Sequence, residues 1–351
     1  MKTRLLFSFL TIVTVCLNAQ IVSIPDANFK NKLLQANSSN TIAQNLSGKY
    51  FKIDSNSDGQ IQSSEAQQVS YLDVSNSNIS SLQGIEDFVN IKWLSCGYNQ
   101  ITNLDVSNNL ALTFYLDCRY NKLLNLDVSK NNALQSLVCD GNQLITLDVT
   151  KNTALLGLNC SDNLLINLDI SKNKLLGQLY CNNNQLKVID VSMNSSLYYL
   201  NCSSNQLTSL NLKNGHNYMM TSSSNPGTYG LDARSNPSLT CIQVDDVTNS
   251  SSYPRWFKDT TASYSTDCSA TMSTTNISKK EVFFYPNPAT TIFNFSEPLS
   301  NLQILDKSDK QVISQKESTK SISVQKLPKG NYLLTAKGQN GKTVTQKFIK
   351  E

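Results

Sequence analysis

Residues 54–65, DSNSDGQIQSSE, place oxygen-bearing side chains at the first, third, fifth and last positions of a twelve-residue stretch, with glycine at the sixth. This satisfies the pattern D-x-[DN]-x-[DN]-G-x5-E at every position. Calcium takes about six to eight oxygen ligands. Asp54, Asn56 and Asp58 would supply side-chain oxygens, Gln60 a backbone carbonyl and Glu65 both carboxylate oxygens, with Gly59 at the sharp turn. The ion would act on stability, because three formal negative charges in one loop oppose its folding until a cation neutralises them. An Asn/Asp-rich turn without metal is the competing reading. The flanks are only partly helical: residues 66–69 continue one way, while Gly48 lies close on the other.

Cysteine is the second residue type that could do chemistry. Cys96, Cys118, Cys139, Cys160, Cys181 and Cys202 follow one another at steps of 22, 21, 21, 21 and 21 residues. Asn99, Asn121, Asn142, Asn163, Asn184 and Asn205 keep the same register three positions later, and the whole unit reads L-x-x-L-x-C-x-x-N-x-L-x-x-L-D-V-S-x-N. The single longer step comes from an extra residue between Leu112 and Leu116. In L-x-C the two residues point to the same face of a strand, which must be the interior. A column of disulfides would need Cβ atoms about 3.8 Å apart, whereas in-register parallel strands hold them nearly a strand spacing, about 4.8 Å, apart. The expectation is six reduced, buried thiols packed as small hydrophobes. Cys241 and Cys268 fall out of phase and are expected to form a disulfide enclosing Trp256 and Phe257, contributing about 3 kcal/mol through loop entropy.

A short unit of this kind cannot bury its own leucines, so stacked copies must form one core, each turn adding a strand to a parallel sheet. The fold class that follows is mainly β: a solenoid of 21-residue repeats with a small helical, calcium-loop cap at its N-terminal end. The asparagine amides would satisfy backbone groups that the coil buries. Asp105, Asp127, Asp148, Asp169 and Asp190 face outward; Lys130, Lys151 and Lys172, three residues after their aspartates, together with nearby Ser and Asn, are expected to balance them. The outward residues flanking each L-x-C would form the ligand-binding face: Trp93, Ser95, Tyr115, Asp117, Arg119, Asp140, Asn159, Tyr180, Tyr199 and Asn201. Aromatics mixed with polar groups suit a protein or glycan partner.

This unit resembles the leucine-rich repeats of the internalin J type found on bacterial surface proteins, with their cysteine ladder and L-D-V-S phrase, over residues 72–241. The resemblance implies surface display and adhesion or partner binding, and names no ligand. The 54–65 loop resembles those of the EF-hand and dockerin type. Near the C-terminus, Tyr285-Pro-Asn-Pro288, Gly330-Asn-Tyr-Leu-Leu334 and Lys347-Phe-Ile-Lys-Glu351 are similar to landmarks of the type A C-terminal sorting domain of the type IX (Por) secretion system. That resemblance spans residues 283–351 and implies export across the outer membrane, a partner in the secretion machinery, and a mature chain either anchored or released.

The remaining organisation follows from composition. Residues 1–19 read as a secretory signal peptide, with Lys2 and Arg4 ahead of an apolar run too short for a membrane span. The cap occupies 20–71, the repeats 72–240, a C-terminal cap 241–268, a linker 269–280 and a small β-sandwich 281–351. From Lys279 onward 12 Lys stand against 6 Asp plus Glu, whereas residues 20–278 carry 16 basic against 20 acidic side chains. The basic residues are spread singly, which argues against nucleic acid as a partner. After Leu212 the repeat register is expected to break, with an inserted loop around 222–230. His216 is the only histidine and sits in that irregular turn, and no phosphate loop or zinc-ligand cluster is present, so catalysis is not expected. A secreted or cell-surface recognition protein is the leading reading; a structural cell-envelope protein without a dedicated ligand is the alternative.

Overall fold

The computed structural model describes residues 20–221, 230–268, 284–285, 289, 291–307, 310–338, 341 and 343–350. The signal peptide, most of the inserted loop, the linker, residues 286–288 and Glu351 lie outside the described residues. The chain divides into two compact units, one comprising Met1–Asn142 with Val149–Cys160 and the other Gln143–Asp148 with Ser161–Glu351.

The first unit begins with helix α1 (Ala27–Leu34), whose Phe29 and Leu33 are buried. Asp26 caps it through Oδ1, which accepts from the amides of Asn28 and Phe29, both at 3.0 Å. Its Oδ2 accepts from Ser80 and Ser81 at 2.8 and 3.0 Å, tying the cap to the repeats. Burial opposes the Asp26 charge, but these four amides outweigh it and hold the carboxyl below its ordinary pKa. Strand β1 (Ala43–Asn45) follows, then the short helix α2 (Ser63–Ala66) and β2 (Val69–Asp73). β1 pairs antiparallel with β2 and so covers the edge from which the parallel ladder grows.

That ladder continues through β3 (Trp93–Ser95), β4 (Tyr115–Asp117), β5 (Ser136–Val138) and β6 (Gly157–Asn159). Leu72, Leu94, Leu116, Leu137 and Leu158 pair in register, and all five are buried. The extra residue between Leu112 and Leu116 leaves this register intact.

The second unit contains β7 (Gln178–Tyr180), β8 (Val188–Asp190), β9 (Tyr199–Asn201), β10 (Ser209–Asn211), β11 (Gly230–Ala233), β12 (Cys241–Gln243), α3 (Val247–Ser252), β13 (Trp256–Lys258) and β14 (Ser263–Ser265). Two parallel arrays run here, β7-β9-β11-β13 and β8-β10-β12-β14. The second array grows from the L-D-V-S phrase and its equivalents. The register does not end at Leu212: Leu231 pairs with Leu200, Ala233 occupies the cysteine position, and Asn236 continues the asparagine column. Its amide oxygen accepts from the Leu207 amide at 3.0 Å, and its nitrogen donates to the carbonyls of Cys202 and Ala233. The inserted segment had hidden a further turn of the coil.

Beyond the linker, β15 (Phe284–Tyr285), β16 (Ile292–Leu305), β17 (Gln311–Gln315), β18 (Thr319–Ser323), β19 (Gly330–Lys337) and β20 (Thr343–Lys350) form an antiparallel β domain. The long strand β16 pairs with β15 and β18 near its start and with β17 and β19 further on, its register shifting between Asn294 and Leu299. Phe293, Phe295 and Phe348 fill the core, with Phe293 and Phe348 stacked at 4.4 Å.

Candidate recognition face

The six ladder cysteines are free thiols and fully buried. Burial raises the thiol pKa of Cys96, Cys118, Cys139 and Cys202 and pushes Cys160 up to about 12. Cys139 Sγ lies 3.5 Å from the Asn159 carbonyl on the next turn. Cys241 and Cys268 are joined in a disulfide with Cα atoms 5.9 Å apart, and Trp256 within their loop is buried while Phe257 is exposed. In the asparagine column, Asn142 donates to the carbonyls of Cys118 and Cys139 at 3.0 and 3.1 Å and accepts from the Leu123 amide at 3.0 Å. One amide thus satisfies backbone groups on two consecutive turns. Asp105, Asp127, Asp169 and Asp190 each accept from the serine amide two residues on. This backbone bond, not an ion pair with Lys130 or Lys172, orients them.

A second asparagine column escaped the sequence reading. Asn109, Asn131 and Asn152 of the first unit, at the last position of the repeat phrase, are fully buried. Asn131 donates to the carbonyls of Val106 and Asn109 at 3.2 and 3.0 Å, and Asn152 repeats the pattern one turn on. Their amide oxygens have no hydrogen-bond partner. The recurring final asparagine was the available signal.

In the cap loop, Asp54, Asn56 and Asp58 come together. The Asp58 amide donates to Asp54 Oδ1 and Asn56 Oδ1 at 3.2 and 3.0 Å, and Asn56 Nδ2 donates to Asp58 Oδ2 at 3.0 Å. Gly59 at φ +75° makes the turn, and its amide donates to Asp54 Oδ2. Gln60 accepts from Lys30 Nζ through its side-chain oxygen. Glu65 bonds back to the backbone of the same loop. Its Oε1 accepts from the amide and hydroxyl of Ser55 at 2.7 and 2.8 Å, and its Oε2 from the Gln62 amide at 3.1 Å. The donor types suit calcium, but the Glu65 carboxylate is engaged by the loop backbone in this arrangement. Among the described residues no three His, Cys, Asp or Glu side chains converge as a metal cluster.

The proposed face divides between the units. In the first, Tyr71, Trp93 and Tyr115 run across β2, β3 and β4, with ring centroids 5.9 Å apart for Tyr71–Trp93 and 4.2 Å for Trp93–Tyr115. Asp117 is buried beside Tyr115, and Arg119 grips it, with Nε 2.9 Å from Oδ1 and 3.0 Å from Oδ2. Arg119 Nη2 donates to the Tyr115 hydroxyl at 3.0 Å. Burial opposes the guanidinium charge, yet the hydrogen bonds and charge of Asp117 hold it above its ordinary pKa. The Arg119 stem crosses Gly97, where a Cβ would stand 3.0 Å from its Cγ. Asp140, two turns along from Gly97, accepts from Asn159 Nδ2 at 3.0 Å.

Beside these lies a pair the sequence reading missed. Tyr98 and Tyr120 stack at 4.7 Å, each in the left-handed conformation that equivalent turns fill with Asn76, Gly141, Asp162, Asn183 and Ser204. Left-handed geometry costs a residue with a large side chain about 1–2 kcal/mol. Both rings are exposed and hold this conformation on adjacent turns.

In the second unit, Tyr180 and Tyr199 pack at 4.8 Å. Asp232 and Arg234 repeat the Asp-x-Arg clamp, with Arg234 Nε 2.9 Å from Asp232 Oδ1 and its guanidinium 4.8 Å above the Phe257 ring. The phrases L-D-C-R and L-D-A-R carried that signal. His216 lies in the irregular turn near Tyr218, its Nδ1 3.3 Å from the Asn214 carbonyl.

Strand register, buried leucines and the two asparagine columns define a leucine-rich repeat solenoid with a cysteine ladder. Residues 283–351 match the family described as Secretion system C-terminal sorting domain (Por_Secre_tail). A tail of this family directs export through the type IX system, to the cell surface or the medium. No curated protein matches the chain. Among solved structures, the functional domain of InlJ from Listeria monocytogenes, described as including a cysteine ladder, is 20% identical, with 95% of this chain and 98% of that one covered at a TM-score of 0.38. The internalin InlF from Listeria monocytogenes is also 20% identical, covering 72% of this chain and 74% of its own, at a TM-score of 0.48. YopM from Yersinia enterocolitica is 23% identical, with coverage of 56% and 35% and a TM-score of 0.36. The solenoid is established by its own register, independently of these likenesses. No helix among the described residues is long and apolar enough to cross a membrane.

Proposed function

We propose that the chain is an exported recognition protein that binds a protein or glycan partner through the outward face of its parallel sheet. The observation that carries this reading is the cluster of Trp93, Tyr115, Asp117 and Arg119. A carboxylate and guanidinium locked into one geometry beside stacked aromatics present contact area and oriented polar groups at little further entropic cost. Recognition, not catalysis, is the activity such a rigid, non-nucleophilic set supports. Attachment to the cell envelope, where it occurs, would follow processing of the sorting tail.

Calcium enters as a structural ion of the cap, proposed on the donor pattern of Asp54, Asn56, Asp58, the Gln60 carbonyl and Glu65. Binding it would require the Glu65 carboxylate to exchange its bonds to the loop amides of Ser55 and Gln62 for the ion.

The test is saturable binding of the mature chain to envelope and extracellular material from its native host. The double variant Asp117→Ala/Arg119→Ala should weaken it at least tenfold while leaving the melting temperature within a few degrees. Retention that grows without saturation and ignores the double variant would favour a structural envelope component instead.

A further inference from the structure

The aromatic row of the first unit stops abruptly. On the strand position occupied by Trp93 and Tyr115, the next two rungs carry Ser136 and Gly157, paired in register. Trp93 stacks on one face of the Tyr115 ring, and no ring covers the other among the described residues. Gly157 keeps the space beyond open: a Cβ there would meet only Ser136 Oγ, at 3.8 Å. Two rungs at about 4.8 Å each leave a step about 10 Å long, floored by small residues and walled by an aromatic face.

The rim of that step is polar and preorganised. Arg119 spends Nε on Asp117 and Nη2 on the Tyr115 hydroxyl, and Nη1 has no partner among the described residues. Asp117 lies on the rung of Tyr115, and Asp140 follows with its Asn159 bond. Two carboxylates against one guanidinium make the rim net negative, which disfavours an anionic ligand. An apolar protein side chain in the step would leave Arg119 Nη1 buried without a hydrogen-bond acceptor, at a cost of about 1–3 kcal/mol. A ring with one apolar face and hydroxyls around its edge meets both demands: its C–H face lies on Tyr115, and its hydroxyls donate to the carboxylates and accept from Arg119.

Resting on the recognition reading above, we infer that the step between Tyr115 and Gly157 is a subsite for one uncharged pyranose unit of a neutral glycan. Tyr115 forms the stacking wall, Arg119 and Asp117 fix the orientation, and the missing side chains of Ser136 and Gly157 make the room.

The test uses the mature chain in affinity gels, each cast with one polysaccharide: neutral β-glucan, α-mannan, galactan or xylan, and acidic alginate. At least one neutral polymer should retard the wild type. Gly157→Tyr, which continues the aromatic row and fills the step, should reduce that affinity tenfold or more, as should Tyr115→Ala, while Tyr218→Ala, an exposed ring in the irregular turn and outside the face, should not. Thermal melts establish that Gly157→Tyr is folded; its backbone is not left-handed and its Cβ has room. Retardation by alginate alone, by no neutral polymer, or equally in Gly157→Tyr would overturn the subsite. Saturable binding of a protein partner that is lost in Asp117→Ala/Arg119→Ala but unaffected by Gly157→Tyr would leave the recognition face standing and the sugar subsite refuted.

Discussion

The Tyr120 ring lies flat over Gly141: a Cβ at Gly141 would stand 2.6 Å from Tyr120 Cδ1, and Gly141 itself has φ +65°. Glycine at this turn is therefore required twice, by its own backbone and by its neighbour's side chain. Gly141→Ala should lower stability by about 1–3 kcal/mol, measurable as a shift in denaturant midpoint. Gly215, left-handed but with open space around it, should tolerate alanine better.

Tyr98→Asn combined with Tyr120→Asn separates recognition from stability. Asparagine relieves the left-handed strain of about 1–2 kcal/mol per residue, which offsets the lost stacking of about 0.5–1.5 kcal/mol. The melting temperature should stay within a few degrees of the wild type while binding to the native partner weakens. A double variant that binds like the wild type would leave the two tyrosines without a role in recognition.

The two asparagine columns should respond unequally to truncation. Asn142→Ala strands the Leu123 amide and takes a donor from the Cys118 and Cys139 carbonyls. Asn131→Ala also removes a donor, but it relieves a buried amide oxygen that has no partner. With each unsatisfied buried group costing about 1–3 kcal/mol, Asn142→Ala should be the more destabilising by at least about 1 kcal/mol. Urea unfolding of the two variants side by side measures the difference.

Periodicity made the coil legible, because every turn repeats the same burial problem with the same residues. It failed at Asn236, where Ala233 replaces cysteine and the inserted segment stretches the spacing. The left-handed tyrosines were invisible for a different reason: turn chemistry disfavours them, so only the folded backbone reveals that the cost is borne. Asp117 and Arg119 were legible as residues of the outward face, but that they clamp one another was not. That Tyr180 and Tyr199 fall in a different compact unit from Trp93 and Tyr115 could not be read from a repeat that treats all turns alike.

The thiol ladder should make the fold sensitive to alkali. Burial holds the folded thiols above their ordinary pKa, Cys160 at about 12, while unfolded thiols ionise near pH 8.5. The folded chain therefore retains protons that the unfolded chain releases. Stability from this source is complete below about pH 8.5 and declines as pH rises toward the folded values, by about 1.4 kcal/mol per pH unit for each fully shifted thiol. Urea midpoints at about pH 7 and pH 10 should show the decline, and Cys160→Ala should reduce its slope. A midpoint that is flat across that range would mean the cysteines titrate freely and are not buried thiols.

Glu65 tests whether the cap loop is held by its own amides, by calcium, or by each in turn. In the arrangement seen, its carboxylate accepts from Ser55 and Gln62, so Glu65→Ala should cost about 1–3 kcal/mol even in the presence of a chelator. Glu65→Gln keeps one acceptor oxygen and should cost less there. Calcium is expected to raise the melting temperature of the wild type at millimolar concentration, where extracellular loops of this kind bind. At a hundredfold excess over Kd the gain would be about 2.7 kcal/mol. Glu65→Gln should abolish most of that gain, since an amide is a poor substitute for a bidentate carboxylate. If wild type and Glu65→Gln melt identically in calcium and in chelator, while Glu65→Ala remains destabilised in both, Glu65 is a clasp on the loop backbone and the calcium proposal fails.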